Sequence, residues 1–134
     1  MRRDGSAPDP ERVAREGRGR WAEFVAAAYL MLHGYRILAR RHRTPYGEID
    51  IIARRGKRIA FVEVKHRQSR AQAEAALRSK QARRVAQAAA HWIAQRPAFA
   101  EHDRGFDAVF ILPRAWPVLV RDAYQPVGTS GRMW

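Results

Sequence analysis

Gly47-Glu48-Ile49-Asp50-Ile51-Ile52 and Phe61-Val62-Glu63-Val64-Lys65, joined across Arg55-Gly56-Lys57-Arg58, decide how this chain is read. Two runs of β-branched and aromatic residues flank a loop whose first central residue is Gly, the signature of a type II′ hairpin. With Gly56 and Lys57 as the two-residue loop, Asp50 is expected opposite Glu63, and Glu48 opposite Lys65. Opposed residues share a sheet face with Cβ atoms roughly 4.5 to 5.5 Å apart. Two carboxylates so placed repel each other unless a cation between them reverses the sign of the interaction.

The third strand carries a second message. Ala60, Val62 and Val64 point one way and Ile59, Phe61, Glu63 and Lys65 the other, so the strand is apolar on both faces at one end. That pattern predicts a central strand covered on both sides, with Glu63 and Lys65 emerging at its C-terminal end.

Outside the hairpin, charge is distributed unevenly. The chain has 134 residues, a net charge of +13 and no cysteine. Its length suits one domain, and the charge favours a polyanionic partner. Absence of Cys removes thiolate catalysis and Cys-based metal sites. Between Arg36 and Arg84 there are fifteen Lys or Arg but four acids, and three of those, Glu48, Asp50 and Glu63, sit in the hairpin. Acids concentrated where the surroundings are most basic suit an anion-binding surface that encloses a cation site.

Upstream, residues 1–16 read as a mobile arm, with Asp9-Pro10-Glu11 a plausible helix start. Nothing near the start has the apolar run of a signal peptide or membrane anchor, so a cytoplasmic protein without membrane association is expected. Trp21, Phe24, Val25, Ala28 and Leu32 recur at helical spacing, and Ala26, Ala27, Leu30 and Met31 fill the other faces before Gly34. A helix apolar nearly all round is expected to be buried. Its only charge between Trp21 and Leu32, Glu23, should then have an arginine partner, favour the helix dipole or line a cavity. Tyr35 to Arg41 reads as a first strand and Arg40 to Thr44 as a basic connection.

Downstream, residues 71–95 predict one long helix with Leu77, Val85, Ala88, Trp92 and Ile93 along a stripe. Gln81 interrupts that stripe and needs hydrogen-bond partners, either within the core or at a site. Phe106 to Leu112 is a continuous apolar strand and Val118 to Tyr124 a last short one. The order α-β-β-β-α-β-(β) places a single domain over residues 17–125, followed by a flexible tail at 126–134.

Chemically, Asp50, Glu63 and Lys65 are what phosphodiester cleavage needs. Mg²⁺ or Mn²⁺ takes oxygen ligands and often binds through one or two carboxylates plus a substrate phosphate. Asp50 and Glu63 would supply them, with Glu23 reaching the same ion. Lys65 would hold the attacking water or stabilise charge on phosphorus oxygens.

These motifs, after a helix with a lone Glu and before Lys80-Gln81, resemble the YraN-like family of small bacterial proteins. That family is itself similar to archaeal Holliday junction resolvases and PD-(D/E)xK nucleases. The resemblance runs from about Gly17 to Tyr124. It implies a restriction-endonuclease-like α/β core, a mixed sheet flanked by helices, and branched or structured DNA as substrate. Residue by residue, it maps Glu23, Asp50, Glu63, Lys65 and Gln81 onto catalytic positions. Arg104-Gly105-Phe106-Asp107 resembles the family's Arg-Phe-Asp stretch with a Gly inserted, and Ile49 replaces the proline of the nuclease signature. A substrate with two-fold symmetry would suit a homodimer, although no exposed apolar seam is legible.

Three functions follow: a metal-dependent nuclease, a non-catalytic DNA- or RNA-binding protein, or an RNA-associated basic module. In each, nucleic acid would meet Arg40, Arg41, Arg43, Arg54, Arg55, Arg58, Arg67, Lys80, Arg83 and Arg84. The acids favour the nuclease, because a pure binder gains nothing from carboxylates that repel phosphate.

Overall fold

The computed structural model describes residues 9–78 and 82–124, and of residues 15, 77, 78, 82 and 83 the backbone alone. Helix α1 spans Pro10–Leu32, strand β1 Arg36–Thr44, β2 Gly47–Arg55 and β3 Arg58–His66. Helices α2, Arg70–Arg78, and α3, Ala82–Ala94, follow, then β4, Asp103–Ile111, and β5, Val118–Val120. Of the single helix expected over residues 71–95, both sides of residues 79–81 are helical, and Lys80 and Gln81 fall outside the described residues.

The five strands form one sheet in the order β1-β2-β3-β4-β5. Only the β3–β4 pair is parallel; the others are antiparallel. A parallel pair needs a crossover, and α2 and α3 supply it. The central position of β3 is what its two apolar faces predicted. Ala60 and Val62 join Ala22, Ala26, Ala27 and Leu30 of α1 on one side. On the other side Ile59 and Phe61 meet Ala88, Ala89, Trp92 and Ile93 of α3, while Ala108 and Phe110 meet Ala73 of α2. The result is a three-layer α/β/α arrangement with a mixed sheet in the middle.

Register in the hairpin is as expected from the turn as far as Ile51, which pairs with Val62, as Ala53 does with Ala60 and Arg55 with Arg58; the ladder ends before the expected Asp50–Glu63 pair. Gly56 has φ +61°, which a type II′ turn requires at its first central position and which an L side chain rarely adopts.

Helix α1 departs from its expected form at its N-terminal end and in its orientation. It starts at Pro10, inside the arm expected over residues 1–16, because the Asp9 side chain accepts from Glu11 N at 3.1 Å and Pro suits the first helical position. It ends where Gly34 takes φ +89° and the amides of Gly34 and Tyr35 return to the carbonyls of Met31 and Leu30. Its buried face is Ala22, Ala26, Ala27 and Leu30, whereas Trp21, Phe24, Met31 and Leu32 are 58%, 61%, 56% and 76% exposed. The helix is therefore not buried all round. Small residues let its backbone approach the sheet closely, and the large ones are left on the outside.

Candidate active site at the open end of the hairpin

Asp50 sits at a break in two ladders. On the β1 side, Arg40 pairs with Ile51 and His42 with Ile49, but the pairing skips Arg41 and Asp50. Arg41 takes the left-handed φ of 52°, a conformation that costs a non-Gly residue on the order of 1 kcal/mol. On the β3 side the ladder stops at Ile51–Val62. The next donor, the amide of Val64, would face the carbonyl of Ile49 in a continued ladder. It donates instead to Asp50 Oδ2 at 2.8 Å. The strands splay there, and Ile49 and Ile52 both pack against the α3 side despite their odd and even positions.

The splay exposes Asp50 to both faces of the sheet. On the α1 side it lines a cleft of about 460 Å³ with Glu23, Arg20, Arg41, Arg43, Glu48, Val64 and His66. On the α3 side it lines a narrow cavity with Tyr46, Glu63, Arg84, Asp107 and Tyr124. Burial pushes the Asp50 carboxyl up to about 6. The Val64 amide pulls the other way, and the negative charges of Glu63, Glu23 and Glu48 add to the rise.

Glu23, 5% exposed on the buried face of α1, is both paired and at the cleft: Arg41 Nε donates to its Oε1 at 2.9 Å and Arg40 Nη2 lies at 3.7 Å. The left-handed turn at Arg41 is thus coupled to the neutralisation of a buried acid. Glu63 and Lys65 alternate onto one face of β3, where Lys65 Nζ is 2.7 Å from Glu63 Oε2. Among the described residues, no group of three or more His, Asp or Glu is arranged to hold a metal ion. Glu23 and Glu63 are turned to cations of the chain itself, and Asp50 is the acid of this set whose carboxyl, among the described residues, accepts only from a neutral amide.

Two expectations need correction. Glu48 does not oppose Lys65, because β2 and β3 have parted by that point; it pairs with Arg43 across β1, with Arg43 Nε at 3.5 Å from Glu48 Oε2. Arg58 is not free for phosphate. Its guanidinium donates to both oxygens of Asp107 at 2.8 and 2.9 Å and to Asp122 at 3.1 Å, which raises its pKa further.

The other basic residues divide by position. Arg54, Arg55 and Arg58 stand at the turn end of the hairpin, roughly 15 Å from the acids at about 3.3 Å per residue. Arg55 lies over the Tyr35 ring. Arg40, Arg41, Arg43 and Arg84 border the acids, and Arg67 follows β3 with its amide bonded to Ile111 O. Arg84 packs its guanidinium against Gly47, where an added Cβ would lie 3.0 Å from Nη1. The side chain of Arg83 falls outside the described residues.

Sequence reasoning missed Asp107, which is fully buried. The signal was present: a lone acid inside the apolar run Phe106–Leu112 must find a partner. Asp107 accepts from Arg58 and also from the amide of Asp122 at 2.8 Å, tying the hairpin turn, β4 and the segment after β5 together. Gly105 makes room for this contact, since a Cβ there would overlap the guanidinium of Arg58. Gly105→Ala is expected to cost about 2 kcal/mol in urea denaturation, and an unchanged midpoint would mean the guanidinium moves aside freely.

Fold and site together define a small mixed α/β domain with an acid-centred, arginine-bordered cleft where a hairpin opens. The chain belongs to the uncharacterised protein family UPF0102, whose model matches residues 22–111, from the buried face of α1 to the end of β4. This is the YraN-like family that the hairpin suggested. It is 53% identical over 115 residues to the UPF0102 protein bll0669 of Bradyrhizobium diazoefficiens, covering 86% of each chain. A UPF0102 protein of Mesorhizobium japonicum, mlr4633, is 47% identical over 117 residues, covering 87% of this chain and 94% of that one. Among the described residues, no helix is long and apolar enough to cross a membrane.

Proposed function

We propose that the protein is a metal-dependent endonuclease acting on nucleic acid, with branched or structured DNA as the substrate class. The observation that carries this reading is Asp50, a mostly buried acid at a double break in the sheet, facing clefts on both sides and crowded by Glu63, Glu23 and Glu48. An uncompensated carboxylate so placed is destabilising on its own, and a divalent cation would offset it. Asp50 and Glu63 fit such an ion as a two-carboxylate set, with the carbonyl of Val64 and water completing it; Glu23 would act through water unless Arg41 releases it. When bound, Mg²⁺ or Mn²⁺ would polarise the phosphate and lower the pKa of an attacking water.

The remaining work falls to side chains of this chain. Lys65 shares a face with Glu63 and would present its ammonium to a non-bridging phosphate oxygen. Arg41, Arg43 and Arg84 flank the acids and would fix the phosphates on either side of the cut. Asp50, held by the Val64 amide, keeps its orientation without rearrangement when substrate arrives.

Non-catalytic binding is the second reading, favoured by the ion pairs that engage Glu23 and Glu63. Incubation with Mg²⁺ or Mn²⁺ and linear, flapped and four-way DNA separates the two. We expect metal-dependent cleavage that disappears in Asp50→Ala. Binding across the panel with no cleavage under either metal would favour the binder.

A further inference from the structure

The outer face of α1 carries a stripe without charge. At about 100° per residue, positions 10, 13, 14, 17, 21, 24, 25, 28, 31 and 32 share an arc of about 120°. They are Pro, Val, Ala, Gly, Trp, Phe, Val, Ala, Met and Leu. Trp21, Phe24, Met31 and Leu32 are more than half exposed there, and Val13 is 45% exposed, while Val25 at the edge of the arc packs partly against the core. In a chain of net charge +13 with 29% charged residues, an uncharged stripe along a 23-residue helix requires an occupant.

We propose that the occupant is α1 of a second copy, packed antiparallel to make a two-fold dimer. Within the arc, Ala14, Gly17, Trp21, Phe24, Ala28 and Met31 follow the alternating three- and four-residue spacing of a helix-on-helix seam. Antiparallel pairing about the midpoint of this seam, between Ala22 and Glu23, sets Trp21 against Phe24 of the second copy, Gly17 against Ala28 and Ala14 against Met31. Large residues then meet at the centre, small ones let the backbones approach, and Met31 fills the space left by Ala14. Charge selects the same arrangement. Arg12, Arg15, Arg18 and Arg20 against Glu11 and Glu16 give the N-terminal half of α1 a net charge of +2, whereas residues 21–32 carry only the buried Glu23. Antiparallel packing places each basic half beside a neutral one, and parallel packing would stack like charges. A nucleic acid has nothing to bind on this arc, because no cation lies within it.

The seam is separate from the acid cleft, so its test stands apart from that of the nuclease reading. Light scattering coupled to gel filtration of the full chain is expected to give twice the 15.4 kDa chain mass. Phe24→Arg, at an exposed position, should halve that mass and leave the far-UV circular dichroism unchanged. Since the chain has no Cys, Ala14→Cys combined with Met31→Cys should crosslink two chains on oxidation, and neither substitution alone should. A wild-type monomer, or a dimer indifferent to Phe24→Arg, overturns the proposal; crosslinking by a single variant overturns the antiparallel arrangement. Co-sedimentation of a monomeric wild type with phosphatidylglycerol vesicles, lost in Phe24→Arg, would reassign the stripe to a lipid surface.

Discussion

Asp107→Ala is expected to remove about 3 to 5 kcal/mol of stability, as breaking a buried ion pair from one side does. Asp107 is 0% exposed and the Arg58 side chain only 21%, so the guanidinium cannot turn to water without leaving its seat beneath Gly105. The substitution strands more than one group. Arg58 keeps Asp122 alone, and the amide of Asp122 loses its acceptor. Against a typical total of roughly 5 to 15 kcal/mol, a loss of this size leaves a marginal fold. Removing both partners, as Arg58→Met with Asp107→Leu, should recover most of it, because the desolvation cost goes with the attraction. Urea denaturation of the single and double variants measures this directly. A single-variant loss under about 1 kcal/mol would mean that the pair contributes no more than an exposed one.

Asp50→Asn should have the opposite effect on stability and, under the proposed nuclease function, abolish cleavage. The wild-type carboxyl rises from 3.8 to about 6 on folding, a difference equivalent to about 3 kcal/mol. An acid whose folded pKa is raised binds its proton more tightly in the native state. Stability therefore falls as pH rises through the interval between 3.8 and about 6, and the penalty is complete above it. Asn still offers an oxygen to the Val64 amide and carries no charge. The variant should gain about 2 to 3 kcal/mol over wild type at pH 8, and the gain should vanish below pH 4. Divalent cations should stabilise wild type at pH 8 and leave the variant unmoved. Equal melting temperatures for the two proteins at pH 8 would remove the crowded carboxylate from the account. Stability given up at a site, and recovered by disabling it, is the expected exchange at a functional position.

The hairpin was legible because its determinants are local. A two-residue loop with Gly56 first fixes the register, and apolar residues on both faces of β3 announce a central strand. Orientation of α1 was not, because an apolar side chain at helical spacing says that a stripe exists without saying which stripe meets the sheet. There the decisive quantity is distance of approach, which Ala22, Ala26 and Ala27 permit and Trp21 or Phe24 would not. Glu48 was misassigned for a related reason: register extrapolates only while the ladder continues, and Asp50 ends it by capturing the Val64 amide. Glu23 and Asp107 obey one rule, a charged residue inside an apolar pattern. Applied to the helix, that rule found an acid that lines the cleft and pairs with Arg41; applied to β4, it would have found the partner of Arg58. Gln81 and Lys80 obey the same kind of rule but lie outside the described residues.

Strand β1 has a consequence for how the protein behaves at high concentration. It is the long edge of the sheet, and its outer hydrogen-bonding groups would template an added strand if they ran flat and unbroken. They do not: the register shifts between Ile37 and Ala39, Arg41 reverses its backbone twist, and Arg36, Arg40 and Arg43 stand along the strand. The irregularity that frees Asp50 on the inner side of this edge also blunts its outer side, so one departure from ideal strand geometry both opens the acid cleft and keeps copies of the sheet from growing onto one another.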